Sequence, residues 1–245
     1  MRLGLIHRPL RSLLRIGATL GGGLAVPEAC DWHRYIAMDG DALGNLEHGC
    51  CVPAAAFRAV QMRRAVQGDQ RKPTTDEVLG LYRRWAQWDG TEATDIGTPS
   101  DAAAAQWQRD GIAWGGQWLD VPDIFALAPA AASHLRAAIA WLGPVMLDLA
   151  LPLAWQGADA WVPFGGPAGA PGSWGAHRVC AGRYDSEWLY AVTWGREVRI
   201  PWGALAVYGL HAEVPVSRSW LDTHGLSPGG LGLDALRAEA REVAG

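Results

Sequence analysis

Two short segments of this sequence hold side chains that can attack an amide bond. The first is GNLEHGCC (44–51), where a glycine-bounded loop delivers Cys50 and Cys51 to the head of an apolar run. A helix beginning there would aim its dipole and its unpaired N–H groups at the cysteine. Both favour the thiolate, the nucleophilic form. The second is GAHRV (175–179), where small residues precede His177 at the head of another apolar run. Small neighbours leave the imidazole room to meet a substrate and exchange a proton with it. Each segment also has a plainer reading. A free cysteine is commonly a small buried apolar group, and many histidines simply end strands. The combination says more, because a cysteine opening a helix and a histidine opening a later strand suit nucleophilic thiol chemistry. His48, His134, His211 and His224 have no comparable setting.

The elements around these segments can be read from period and punctuation. CVPAAAFRAVQMRRAVQ (51–67) predicts a helix with an apolar stripe of Val52, Ala55, Ala56, Ala59, Val60 and Met62, leaving Arg58, Arg63 and Arg64 mostly off it. Pro53 falls in the first turn, where its missing N–H is harmless, and Gly68 is a stop. A second helix is predicted over 75–88, with Thr74 and Glu77 at capping-box spacing. A third covers 101–109 with Ser100 as its cap, and a fourth 131–142, ending at Gly143-Pro144. Strands then take over: 145–153, 177–184, 187–194, 196–202 and 210–216. A Gly/Pro loop spans 157–176, and its Trp161–Trp174 stretch is expected to border a cleft. Residues 1–29 read as an extended leader with room for a short helix at 10–16. Residues 217–232 read as loop, and 233–243 as a polar terminal helix. Helices first and antiparallel strands second predict an α+β protein in two segregated parts.

Composition narrows the possibilities. The chain has 245 residues, 49% of them hydrophobic, enough for one large domain or two lobes sharing an interface. A net charge of −4 and the lack of polybasic runs argue against nucleic acid and anionic membranes as partners. His7, Arg8, Arg11 and Arg15 interrupt every early apolar run, so no signal peptide is expected, and no stretch approaches a membrane span. The four cysteines match no zinc template, neither a metal nor an organic cofactor is expected, and a reducing compartment is the default, for a soluble protein that is cytoplasmic or virion-associated.

On these motifs the chain resembles the papain-like cysteine peptidases over roughly residues 40–215. GNLEHGCCVPAAA looks like their nucleophile loop and helix. LRAAIAWLGPVMLDLAL resembles their helix-then-strand segment, and SWGAHRVCAGRYDSEWLYAVTWG their histidine strand, hairpin and Trp-Gly turn. More narrowly, it is similar to papain-like proteins encoded in phages and prophages, in which a GND-x-x-GDC loop, a GGHAV strand and a TWG turn recur. The resemblance implies a two-lobed fold: a leader (1–40), a papain-like domain (41–215) with a helical lobe to 142 and a β lobe from 143, and a tail (216–245) carrying the terminal helix. It implies Cys51 as nucleophile, because the family's side-chain amide donor stands six residues earlier and that position is Asn45, the one asparagine in the chain. Asn45 and the Cys51 N–H would then form an oxyanion hole. His177 would be the base, and Trp194 would shield it, with Trp174 beside the substrate cleft. The family's orienting asparagine is missing. Anchoring on Trp-Gly puts Val192 at its position, and counting from His177 puts Thr193 there. Asp185 lies at the far hairpin turn. Two readings follow. One is a thiol hydrolase of a peptide or protein substrate. The alternative is a catalytically weak papain-like fold with a structural role in a phage virion or its assembly, associated with other phage structural proteins. The departure from asparagine and the unusual Arg178 favour the alternative. A cell-wall amidase ranks below both.

Overall fold

The computed structural model describes residues 1–7, 14–15, 25–121, 123–221, 226–227 and 232–242. In chain order the first part holds β1 (Leu5–Ile6), β2 (Leu14–Arg15), β3 (Cys30–Asp31), α1 (Cys51–Val66), α2 (Thr75–Ala86), β4 (Thr98–Pro99) and α3 (Ser100–Asp110). A small hairpin follows, β5 (Ile112–Trp114) and β6 (Gln117–Leu119), and then β7 (Asp123–Leu127) and α4 (Ala132–Leu142). The second part holds β8 (Val145–Leu151), β9 (Gly175–Tyr184), β10 (Trp188–Thr193), β11 (Arg196–Pro201), the one-turn α5 (Leu205–Tyr208), β12 (Gly209–Val216) and α6 (Leu233–Glu242). This is an α+β architecture with a helical lobe and a β-rich lobe.

The large sheet runs β11-β10-β9-β8-β12-β7-β2, with β3 added beside β9. Its neighbours are antiparallel apart from the β2–β7 pair, which is parallel. One face carries a core of Leu147, Leu149, Val179, Leu189 and Val214 packed with α4 residues such as Ile139 and Leu142. The other face meets α1, α2 and α3 through Met146, Cys180 and Val192. At roughly 25 cal/mol per Å² of apolar surface removed from water, these two clusters are the main stabilising term.

α2 begins with both halves of the capping box: Thr74 accepts from the Glu77 N–H, and Glu77 accepts from the Thr74 N–H. α3 differs from expectation. It starts at Ser100, with Pro99 in the capping position and no side-chain cap, because proline already fixes an extended residue ahead of the first turn. α1 also differs: 14 of its 16 residues are buried, Arg58 and Arg63 among them. A central helix packed on several sides has no solvent stripe, so the arginines satisfy themselves internally. Arg58 donates to Gln61 and to the Asp41 carbonyl. Arg63 donates to the carbonyls of Leu142 and Pro144, where its charge meets the negative end of α4. β7 falls between the expected helices at 101–109 and 131–142, where no element was expected, and of the expected helix at 10–16 only Leu14–Arg15 is described, as strand. Strand β8 ends at Leu151, ahead of Pro152. Among the described residues no helix is long and apolar enough to cross a membrane.

Candidate active site at the lobe interface

Cys51 is the first residue of α1, and no side chain caps the helix start at Cys50. The loop before it is clamped from below by one carboxylate. Asp95 accepts from the Gly49 N–H at 2.8 Å and the Tyr82 hydroxyl at 2.7 Å, and its second oxygen lies 3.2 Å from His48 Nδ1. This buried network fixes the loop that aims Cys51. The Cys51 thiol is itself buried, and burial pushes it up to about 11. The backbone N–H groups of Arg178 and Gly4 and the Arg178 charge pull the other way, while Asp148 opposes the thiolate. The sulfur therefore faces Arg178, and among the described residues no hydrogen bond joins it to His177. Ala176 and Cys180 pack on the Cys51 side of β9, as Arg178 does, while Val179 and Ala181 pack on the opposite side, which is the side His177 takes.

His177 lies near the start of β9 with no solvent exposure. Its Nε2 is 2.6 Å from Thr193 Oγ1, and its Nδ1 has no hydrogen-bond partner. Burial pushes the imidazole down to about 3, with Asp148 opposing the shift. Strand alternation puts Val192 and Thr193 on opposite faces of the sheet. Val192 pairs with Cys180 and joins the core under the helices, so Thr193 emerges on the other face, with His177. Asp185 is spent at its own turn, accepting from Tyr190 and from the Glu187 and Trp188 N–H groups.

Trp194 stacks on the imidazole, with ring centres 4.2 Å apart and planes 17° apart. Its backbone lies at φ +49° and that of Gly195 at φ +76°. Two positive φ values between paired strands form a type I′ hairpin turn, since Thr193 pairs with Arg196 across it. Left-handed φ costs an ordinary residue on the order of 1–3 kcal/mol, and here it places an indole over the histidine. Trp174 packs 5.4 Å from Trp194 and is partly exposed.

Asn45 lines the same small recess as Cys51, Arg178, Val192, Thr193 and Trp194, and His177 does not line it. Its amide donates to the His48 carbonyl at 3.2 Å and bears on the Cys50 thiol.

Two features escaped sequence reasoning. One is a buried ionic cluster beside the cysteine. Arg178 donates to both Asp148 oxygens, at 2.5 and 2.9 Å, and to Glu213 Oε1 at 2.5 Å. Burial raises the Asp148 carboxyl, and Arg178, His7 and His211 more than offset that, leaving it below the usual carboxylate range. A signal existed: each residue is a lone charge inside an apolar strand, in VMLDLAL, HRVCA and HAEVPV. The other is the placement of residues 1–7. β1 pairs in parallel with β4 on the helical lobe, and the Thr98 N–H donates to the Gly4 carbonyl at 2.7 Å. Leu3 packs over Gly175 on the β lobe, and Leu5 joins the core that holds Cys51. The Gly4 backbone is so close to Gly49 that an added Cβ would fall 1.9 Å from its oxygen. Arg2 pairs with Asp95, and His7 Nδ1 approaches Asp148 Oδ2 to 3.8 Å. This segment covers the cysteine from the cleft side.

Solved structures with this architecture are papain-like cysteine proteases. The chain is similar to xylellain, a cysteine protease from Xylella fastidiosa, at 14% identity and a TM-score of 0.65, covering 87% of this chain and 95% of that one. It is similar to the Carica candamarcensis cysteine protease CMS1MS2, at 19% identity and a TM-score of 0.54, covering 78% and 99%. It is also similar to digestive procathepsin L 3 of Tenebrio molitor, at 15% identity and a TM-score of 0.59, covering 84% and 74%. The chain has the papain-like fold. No protein-family model matches the sequence, and no curated protein does.

Proposed function

We propose that the chain is a thiol hydrolase of peptide or amide bonds, with Cys51 as nucleophile and His177 as base, held latent by residues 1–7. The observation that carries this reading is the His177–Thr193 hydrogen bond under Trp194. With Nε2–H donating to Thr193, the imidazole presents an unpartnered Nδ1 that can accept a proton. In the covered form burial keeps both groups neutral, thiol and imidazole alike. Lifting residues 1–7 readmits water to Cys51 and lowers that penalty for the thiol. The helix start, the Arg178 N–H and the Arg178 charge then favour the thiolate.

The step requires His177 to turn from its side of β9 towards the Cys51 side in the open form; the Cys51 proton then passes to His177 Nδ1, and the sulfur attacks the substrate carbonyl carbon. The oxyanion forms at the Cys51 N–H, joined by the Asn45 amide once it turns from His48. His177 returns the proton to the departing amine, leaving a thioester. Water attacks the thioester as His177 takes its proton, and Cys51 leaves protonated.

A second reading has its own support: the fold is kept for a structural role, as in an assembled phage particle, with little catalysis. Thr193 stands where an amide would hold the ring more firmly, the Asn45 amide is engaged within its loop, and the cleft is filled. Incubating a mixed peptide library with the chain carrying Gly4→Ala, which displaces the covering segment, separates the two. Cleavage that vanishes in the same chain with Cys51→Ala supports the hydrolase. Intact peptides together with an unreactive Cys51 thiol support the structural role.

A further inference from the structure

We propose that α1, α3 and the β5–β6 hairpin enclose a second binding site, for a small carboxylate on a short apolar body, with Arg63 and Trp107 as its donors. The site lies apart from the Cys51 recess, with no lining residue in common. Arg63 follows Cys51 on the same helix, about 18 Å further along its axis. The inference holds whether or not the chain is a hydrolase.

A recess of about 260 Å³, its open mouth included, lies between these elements. Val60, Leu119 and Val121 give it apolar walls, and Arg63, Arg64, Trp107 and Ser217 give it polar groups. Among the described residues no carboxylate lines it. Arg63 is 4% exposed and Trp107 1%. Each holds a buried N–H donor without a partner, Arg63 at Nε and Trp107 at Nε1. A buried donor left unpaired is costly, and the great majority in folded proteins meet an acceptor. Two such donors lining one recess point to an acceptor that comes from outside the chain.

The charge of Arg63 is also uncompensated. Its Nη2 donates to the Leu142 and Pro144 carbonyls at 3.4 and 3.2 Å, which supply only the partial charge of a helix end. The Trp220 ring, 5.8 Å from the guanidinium, adds a cation–π contact and no anion. Burial pushes Arg63 down to about 10, with the Cys180 thiol opposing that shift, so the guanidinium stays charged at pH 7. The nearby acids are spent elsewhere. Asp69 pairs with Arg64 at 3.2 Å and accepts from the Trp114 indole at 3.0 Å, and Asp120 pairs with Arg218 at 3.2 Å. A carboxylate entering the recess supplies the missing charge, and its two oxygens can accept from both donors. The walls then select what carries it. An aliphatic body buries against Val60, Leu119 and Val121, whereas a phosphate or sulfate would press further charged oxygens against them.

The test titrates the full chain at pH 7 and constant ionic strength with sodium butyrate, butyramide or sodium chloride. Indole N–H resonances are followed by proton–nitrogen NMR, and the Trp107 resonance is the one absent from Trp107→Phe. Butyrate moves the Trp107 resonance downfield along a saturable curve, and butyramide and chloride do not. Butyrate affinity is also read in each chain from the rise of the denaturant midpoint with butyrate concentration. It falls on the order of tenfold in Trp107→Phe and in Arg63→Met. Trp107→Phe removes a donor that has no partner in the fold, so this variant decides the matter where Arg63→Met fails to fold. A Trp107 resonance that ignores butyrate, an equal response to butyramide, or butyrate stabilisation undiminished in Trp107→Phe overturns the site.

Discussion

Gly4→Ala is the sharpest perturbation the structure offers. An alanine Cβ would lie 1.9 Å from the Gly49 oxygen and 2.1 Å from its carbonyl carbon. These are backbone atoms of the loop that Asp95 clamps, so they cannot turn aside. Residue 4 must retreat by about 1.5 Å to reach ordinary van der Waals separation. That movement stretches the 2.7 Å Thr98–Gly4 hydrogen bond past its useful length. The lost bond costs about 1 kcal/mol, and the overpacking that persists costs roughly 1–3 kcal/mol. Together they shift the covered-to-open balance by about 2–4 kcal/mol, which is roughly 30- to 1,000-fold at 1.4 kcal/mol per factor of ten. Cys51 is alkylated only when open, so its iodoacetamide rate, mapped by peptide mass, rises by that factor. Cys180 sits in the core under Arg58 and Arg63 and serves as the internal control. A Cys51 rate in Gly4→Ala equal to the parent rate refutes the covering role of residues 1–7.

In that opened chain Thr193→Val removes the hydroxyl without changing the volume much. Leaving the buried imidazole N–H unpaired costs about 1–3 kcal/mol, so Cys51 alkylation falls on the order of tenfold, while Thr193→Asn preserves or raises it. Asp148→Asn leaves Arg178 half-partnered in the interior and lowers unfolding stability by roughly 3–5 kcal/mol in denaturant titration. His177 has its folded pKa depressed from 6.5 to about 3, so the unfolded chain binds a proton that the folded chain refuses. Its contribution to stability is complete above pH 6.5 and is lost as pH falls towards 3. Denaturant titrations at pH 7 and pH 4.5 should therefore show a smaller acid loss in His177→Gln than in the parent chain.

What could be read from the sequence was local. The capping box at Thr74 and Glu77, the run opening at Cys51, and the strand pair around the Trp-Gly turn each carry their own period and punctuation, and each forms where expected. β7 was missed because DIFAL is only five residues long, follows a proline, and finds its partners on β12 and β2, far away in sequence. The buried arginines of α1 were misplaced for a related reason. Helical period ranks faces by polarity, but a carbonyl-rich helix end at Leu142 and Pro144 can accept a guanidinium that polarity alone assigns to solvent. That Val192 and Thr193 take opposite faces emerges only with the register of β10 on β9. The covering of Cys51 depends on Gly4, Gly49 and Gly97 meeting backbone to backbone, which no spacing in the sequence announces.

The central claim is that Cys51 and His177 act as a nucleophile and its base. Its most direct test is the pH–rate profile of Cys51 alkylation in the Gly4→Ala chain, with and without His177→Ala. A thiolate at a helix start beside an imidazolium titrates well below the ~8.5 of a free thiol. The account predicts rapid labelling of Cys51 at mildly acidic pH, faster than at Cys50, Cys30 or Cys180, and a shift of that profile towards ordinary thiol behaviour when His177 is removed. Preferential labelling of Cys50, or a Cys51 profile indifferent to His177, would contradict it.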